Sequence, residues 1–267
     1  MLRTPAVADQ FYPGDPAELR RMVEGFLEPS ARPEPALLAV SPHAGYVFSG
    51  PVAGKVLSRV EVPRRVVLLG PNHRGVGAAA ALMSQGAWQT PLGQVQLDSD
   101  LGGRLAADCR LVEEDSMAHQ FEHSLEVQVP FLQARREDLL LTPLCLGRLG
   151  YNDCQELGQS LGRLLGGLEE PALLVASTDM SHYEPEERAQ ELDQQAIDRI
   201  LALDPRGLYD TVRGKGITMC GVLPTTVALI AALEQGAASA ELVAYTNSGQ
   251  VTGDRRQVVG YAGLIVR

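Results

Sequence analysis

Ala39-Val40-Ser41-Pro42-His43-Ala44-Gly45-Tyr46-Val47-Phe48-Ser49-Gly50 is the stretch on which the reading of this chain turns. Its apolar lead-in, residues 37–40, reads as a buried strand, and Pro42 stops the ladder because proline has no N–H to donate. His43 therefore falls just past the C-terminal end of a strand. The same grammar recurs twice. Val66-Val67-Leu68-Leu69-Gly70 runs into Pro71-Asn72-His73, and Leu173-Leu174-Val175-Ala176 runs into Ser177-Thr178-Asp179-Met180-Ser181-His182. Three strands each deliver a histidine at the same end. In open α/β sheets ligands bind in the crevice outside the carboxyl ends of the strands. Adjacent strands lie about 4.7–4.9 Å apart, so imidazoles leaving neighbouring strand ends could share one metal ion at bonds of roughly 2.0–2.1 Å.

The rest of the chain fits an α/β fold, with a central, mostly parallel sheet and helices on both faces. Asp15-Pro16-Ala17-Glu18 opens a helix with an N-cap aspartate, a proline at the first position and a capping-box glutamate. Leu19, Met22, Val23, Phe26 and Leu27 then form one buried stripe. A helix is expected over residues 50–60 and a strand over 62–70, which makes the opening a β-α-β unit, right-handed and parallel by rule. Thr90-Pro91-Leu92-Gly93 marks a hairpin turn. Helices are expected over 98–109, 118–136 (broken or kinked near Pro130), 152–168, 186–203 and 222–233, with a further short one starting at Asp204-Pro205. The acidic face of the 186–203 helix reads as a solvated surface. Residues 139–146 read as another strand, and 241–247 with 258–266 as a closing antiparallel pair.

The chain has 267 residues, of which 45% are hydrophobic, enough for a large core; with no linker in sight, residues 1–267 read as a single domain. Its net charge of −10 and pI near 5.0 oppose the counterion release that drives nucleic-acid binding. No apolar run approaches the roughly 20 residues that span a bilayer, and the first residues lack the apolar core of a signal peptide. A soluble, cytoplasmic protein is expected, with self-association into a homo-oligomer left open. The four cysteines, Cys109, Cys145, Cys154 and Cys220, form no Cys-x-x-Cys pair, and reduced thiols are the default.

The candidate site is built from the residues that follow the strands. His43 and His73 read as a metal-ligand pair or, more plainly, as loop histidines bonded to backbone. Asp179 and His182 read as an orienting carboxylate and a general base, since histidine titrates at about 6.5; the plain alternative is that Asp179 only caps a turn. In His119-Gln120-Phe121-Glu122-His123-Ser124-Leu125-Glu126 the i, i+4 spacing of His119 with His123, and the i, i+3 spacing of His123 with Glu126, put side chains on one helix face. The glutamate stands in the wrong place for the His-Glu-x-x-His of zinc proteases. His123 and Glu126 are therefore read as groups that orient ligands or substrate. Cys220 precedes an apolar helix, whose dipole would lower the thiol pKa. It reads as a nucleophile, a soft metal ligand or a buried inert thiol.

Taken together, Phe11-Tyr12-Pro13, Pro42-His43-Ala44-Gly45-Tyr46 with Ser49-Gly50, Leu69-Gly70-Pro71-Asn72-His73, Glu122-His123-Ser124-Leu125-Glu126, Ser177-Thr178-Asp179-Met180-Ser181-His182 and Met219-Cys220-Gly221 resemble the Memo family. Its bacterial members are also called AmmeMemoRadiSam system protein B. The resemblance covers almost the whole chain. It implies a fold similar to class III extradiol dioxygenases, which hold non-haem Fe(II) with two histidines and a glutamate and use another histidine as acid/base. Carried over by motif, His43 and His73 look like the histidine ligands, His182 like the acid/base group, and Cys220 stands where the glutamate would be, with Tyr46 in a supporting position. A thiolate favours softer ions such as copper or zinc and is itself open to oxidation. The resemblance further implies redox or metal biology, a functional link to radical SAM and AMMECR-type proteins, and, in a eukaryotic branch, signalling and phosphotyrosine-peptide binding.

The leading expectation is a metal-dependent, redox-active enzyme of unstated substrate, with iron or copper on His43, His73 and Cys220, zinc as the alternative ion, His182 moving protons, and Asp179, His123, Glu126 and Tyr46 in support. A second is a non-catalytic module whose cleft binds a peptide or small anion through loop N–H groups. A third is metal-free hydrolysis or transfer by Cys220 with His182 as base.

Overall fold

Val66, Val67, Leu68 and Leu69 are all fully buried, but they serve two different cores. Val66 and Leu68 pack into one apolar cluster and Val67 and Leu69 into the other, because successive strand side chains point to opposite faces. Such a run, buried on both sides, marks the centre of a sheet covered by helices on each face.

The computed structural model describes residues 1–267. In chain order the strands are β1 (Leu2–Arg3), β2 (Leu38–Ser41), β3 (Arg65–Pro71), β4 (Ala80–Leu82), β5 (Ala87–Thr90), β6 (Gly93–Leu97), β7 (Val112–Glu114), β8 (Leu140–Leu146), β9 (Ala172–Ser177), β10 (His182–Glu184), β11 (Ala240–Asn247) and β12 (Val258–Val266). The helices are α1 (Pro16–Phe26), α2 (Tyr46–Arg59), α3 (Ser99–Asp108), α4 (Met117–Gln120), α5 (Val129–Arg135), α6 (Tyr151–Gly166), α7 (Glu186–Leu201), α8 (Pro205–Lys215), α9 (Val222–Glu234) and α10 (Gly249–Thr252). No helix is long and apolar enough to cross a membrane.

All the strands belong to one sheet, ordered β1-β5-β6-β8-β3-β9-β2-β12-β10, with β11 paired to β12, and β4 to β7 and β8. Its centre, β6 to β2, is parallel as expected. The antiparallel pairs are β5 with β6 across the Pro91-Leu92 turn, β4 with β8, and β12 with β2, β10 and β11. The sheet is therefore mixed, with a parallel middle. One core holds α3, α6, α7, α8 and α9 against it, and the other holds α1, α2 and α5.

Two expectations change here. First, β2 and β3 are not neighbours, because β9 lies between them. Their histidines reach over the end of β9, which terminates in the small Ser177. Second, residues 118–136 do not form one kinked helix. Only α4 is helical before a break at 121–125; a 3-10 turn follows at Glu126–Gln128, and Pro130 opens α5 within its first turn rather than bending it. The break has a local cause: the Glu122 carboxylate accepts the backbone N–H groups of His123 and Ser124 at 2.9 Å, competing with helical pairing. His119 and His123 consequently share no helix face. His119 is buried, with Nε2 3.1 Å from the Ala81 carbonyl and its ring edge-on to Trp88.

Candidate metal centre

Three histidines from three separate loops converge at the C-terminal edge of the parallel strands. His43 follows β2, His73 follows β3, and His123 sits in the break after α4. One ring nitrogen from each lies within 4.8 Å of the others. His43 is buried, His123 half-buried and His73 exposed, so the group opens toward solvent on one side. The ring of His43 stands edge-on to both partners, at 78° to His73 and 83° to His123, whereas His73 and His123 stack at 18° with centroids 4.6 Å apart. Phe11 covers the His123 ring at 4.7 Å.

Two glycines let the chain come this close. A side chain at Gly70 would meet the Ser124 hydroxyl and Leu125 below 3.0 Å, and one at Gly221 would meet Thr178 and the Ser177 carbonyl. Without them neither the Glu122–Leu125 segment nor Cys220 could lie against the strand ends.

Each histidine following a strand has its rear nitrogen occupied. The Nδ1 atom of His43 is 3.0 Å from the Ser177 hydroxyl, and that of His73 is 2.9 Å from Glu122 Oε1. Glu122 also accepts the His73 backbone N–H at 2.7 Å. Burial alone would push its carboxyl up; the His73 hydrogen bond and charge and the Ser124 N–H outweigh that and hold it down at about 2. An ionised Glu122 can only accept, so His73 carries a proton on Nδ1, the nitrogen facing the carboxylate. Burial, followed by the neighbouring His73 and His123, pushes His43 well below its ordinary value; burial also lowers His123, to about 4. His43 and His123 are thereby kept neutral, and the rings of His73 and His43 are backed by a carboxylate and a hydroxyl, the arrangement metal-ligating histidines adopt. The donor set fits a late first-row metal ion.

Cys220 has its sulfur 3.3 Å from His43 Nε2 and accepts the Asp179 backbone N–H at 3.2 Å. It stands outside the three-histidine group. The dipole of α9 was expected to lower its pKa. Instead burial, with the Asp179 carboxyl adding to it, pushes the thiol far up. That reverses the electrostatic basis for a free Cys220 nucleophile. Asp179 itself is buried and raised to about 6, and accepts the His43 backbone N–H at 2.7 Å. It was expected to orient His182 by a hydrogen bond. Thr218 does so instead: its hydroxyl accepts the His182 N–H at 2.7 Å and its carbonyl takes His182 Nδ1 at 3.0 Å. Since a carbonyl only accepts, His182 keeps a bare Nε2 at the half-buried rim.

Glu126 and Tyr46 face away from the histidines. Glu126 accepts the N–H groups of Ala6 and Val7 and the Tyr12 hydroxyl, and pairs with Arg3 at 2.7 Å. Tyr46 donates to the Val127 carbonyl and packs on Tyr12 and Phe131. Both brace the wall behind the centre. The residues that sequence reasoning overlooked are Glu122, Ser177, Gln128 and Thr218; all but Thr218 are fully buried polar side chains. A large concavity of about 790 Å³, lined by Pro35, Val62, Arg64, Arg136, Asp138 and Pro171 among others, lies at the opposite ends of the strands and contains no histidine or cysteine.

A family model described as Memo-like protein matches residues 3–265. The chain belongs to the Memo family. Among its relatives, the MEMO1 family protein MK0963 of Methanopyrus kandleri is 44% identical over all of this chain and 99% of its own length. A MEMO1 family protein of Aquifex aeolicus is 44% identical over 99% of this chain and 98% of its own. A crystal structure of the uncharacterized protein JW3007 from Escherichia coli K12 covers 86% of this chain and 99% of that one with a TM-score of 0.56. At 14% identity that is a likeness of fold alone. The six motifs of the Memo resemblance all reach this edge of the sheet: Phe11 on His123, then His43, His73, the Glu122–Glu126 segment, the 177–182 loop and Cys220.

Proposed function

We propose that the protein is a metal-dependent oxidoreductase whose ion, iron or copper, is held by His43, His73 and Cys220, with His182 exchanging protons beside it. The observation that carries this reading is the pair of perpendicular imidazoles, both with rear nitrogens occupied, next to a sulfur 3.3 Å from His43 Nε2. Imidazole and thiolate donors disfavour magnesium and calcium, which take oxygen ligands, and suit copper, iron or zinc. Copper or iron, when bound, would supply one-electron chemistry, and any of the three would polarise a coordinated oxygen.

His123 is the third member of the group that converges here, and Cys220 is preferred to it as third ligand for its sulfur beside His43 Nε2. Imidazole lone pairs lie in the ring plane, and the His73 and His123 planes run nearly parallel. Rings so nearly parallel can share an ion only if they also lie close to one plane, a condition a thiolate ligand does not impose. His43 is under no such condition. His182 acts through its bare Nε2, which can take a proton from a substrate hydroxyl at the rim. His123, half-buried and stacked, lines the approach.

X-ray absorption at the metal edge tests this. One sulfur neighbour at about 2.3 Å is expected in the wild type and none in Cys220→Ser. The edge should also move reversibly when the protein is reduced and reoxidised. A shell of nitrogen and oxygen alone would support the three-histidine set instead, and a redox-silent ion would remove the oxidoreductase assignment.

A further inference from the structure

We infer that Ser177 and Gln128 are positioning residues that fix His43 as its Nδ1–H tautomer, leaving the Nε2 lone pair facing Cys220. The inference deepens the metal-centre reading and is drawn from hydrogen-bond inventory alone.

Ser177 ends β9, between the strands that deliver His43 and His73, and is fully buried. Its hydroxyl has one proton and two lone pairs. Three groups contact it: the Ser124 carbonyl at 2.6 Å, Gln128 Nε2 at 2.9 Å and His43 Nδ1 at 3.0 Å. The carbonyl can only accept, so it takes the single Ser177 proton. Both remaining contacts must then donate to Ser177. For His43 this requires the proton on Nδ1, and Nε2 is left bare, 3.3 Å from the Cys220 sulfur.

The assignment depends on which end of the Gln128 amide faces Ser177, and the surroundings fix it. The same Nε2 lies 2.8 Å from the Pro42 carbonyl and 3.3 Å from that of Ser41. Turning the amide over would set its oxygen against two carbonyl oxygens. Gln128 is 1% exposed, so no solvent relieves such a clash. Gln128 therefore holds Ser177 as an acceptor, and Ser177 holds the ring. A free histidine side chain favours the opposite tautomer, with the proton on Nε2, so this network works against the intrinsic preference.

Two-bond proton–nitrogen correlation spectra of the metal-free protein at neutral pH read the tautomer directly. His43 is expected to show a protonated Nδ1 and an unprotonated Nε2 in the wild type; the reverse pattern overturns the inference, whatever the protein does with metals. In Ser177→Ala the Nε2–H form should become populated, and affinity for Zn(II), measured against a competing chelator, should fall by about 10–100-fold, the usual cost of losing a group that orients a ligating histidine. Unchanged tautomer and unchanged Zn(II) affinity in a folded Ser177→Ala protein would also overturn it. A wild type with the expected tautomer but no bound ion in any preparation would sink the metal-centre reading and leave this one standing.

Discussion

Glu122→Ala is expected to lower metal affinity by about 10–100-fold and to cost about 3–5 kcal/mol of folding stability. Its carboxylate is 1% exposed and accepts four hydrogen bonds: the His73 backbone and ring, and the N–H groups of His123 and Ser124. Removing it frees the His73 ring to rotate and to change tautomer. It also leaves the N–H groups of the half-buried His123 and the buried Ser124 without an acceptor, each costing about 1–3 kcal/mol before relaxation. Calorimetric titration with metal and urea denaturation of the same variant check both halves. Glu122→Gln separates them, because the amide keeps the volume and one acceptor oxygen but turns a donor toward N–H groups that need an acceptor. A Glu122→Ala protein that bound metal like the wild type would mean that His73 is not a ligand.

The second large effect belongs to the wall behind the centre. Glu126→Ala is expected to destabilise the protein by about 3–5 kcal/mol, the cost of breaking a buried ion pair from one side, and to lower Tm by roughly 10 °C or more. Arg3 and Glu126 have side chains only 3% and 1% exposed. Arg3 also donates to the carbonyls of His119 and Glu122 and lies over the Trp88 ring at 4.3 Å. The pair thus ties the first residues of the chain to the segment that carries Glu122 and His123. Because Arg3 keeps its two carbonyl contacts in Glu126→Ala, metal affinity should change far less than in Glu122→Ala. Thermal melts and metal titrations of the two variants side by side measure that difference. Equal loss of metal in both would show that Glu126 acts on the centre itself.

What could be read from the residues, and what could not, divides along local and long-range physics. The strands before His43, His73 and His182 were legible because an apolar run ended by proline, or by a Ser-Thr-Asp turn, is a local pattern. The parallel centre of the sheet followed from alternating strands and helices. The insertion of β9 between β2 and β3 was not legible, since strand order is decided by packing on both faces rather than by any one segment. The helix expected over residues 118–136 failed because periodicity counts side chains and ignores a carboxylate that takes the backbone's own donors, as Glu122 does. Of two glutamates four apart, Glu126 was singled out as the orienting one; its true partner, Arg3, lies over a hundred residues earlier in the chain. The thiol of Cys220 was placed correctly before α9, but the dipole of a helix is a smaller effect than burial beside Asp179. Ser177 was in view as part of a motif. Its role emerged only when its one proton had to be shared out among three neighbours.

Metal analysis of the wild-type protein purified without chelator, set against His43→Ala and His73→Ala, addresses the centre most directly. The proposed ligand set requires close to one redox-active ion per chain in the wild type and little or none in either variant. Equal metal content in all three proteins would contradict it.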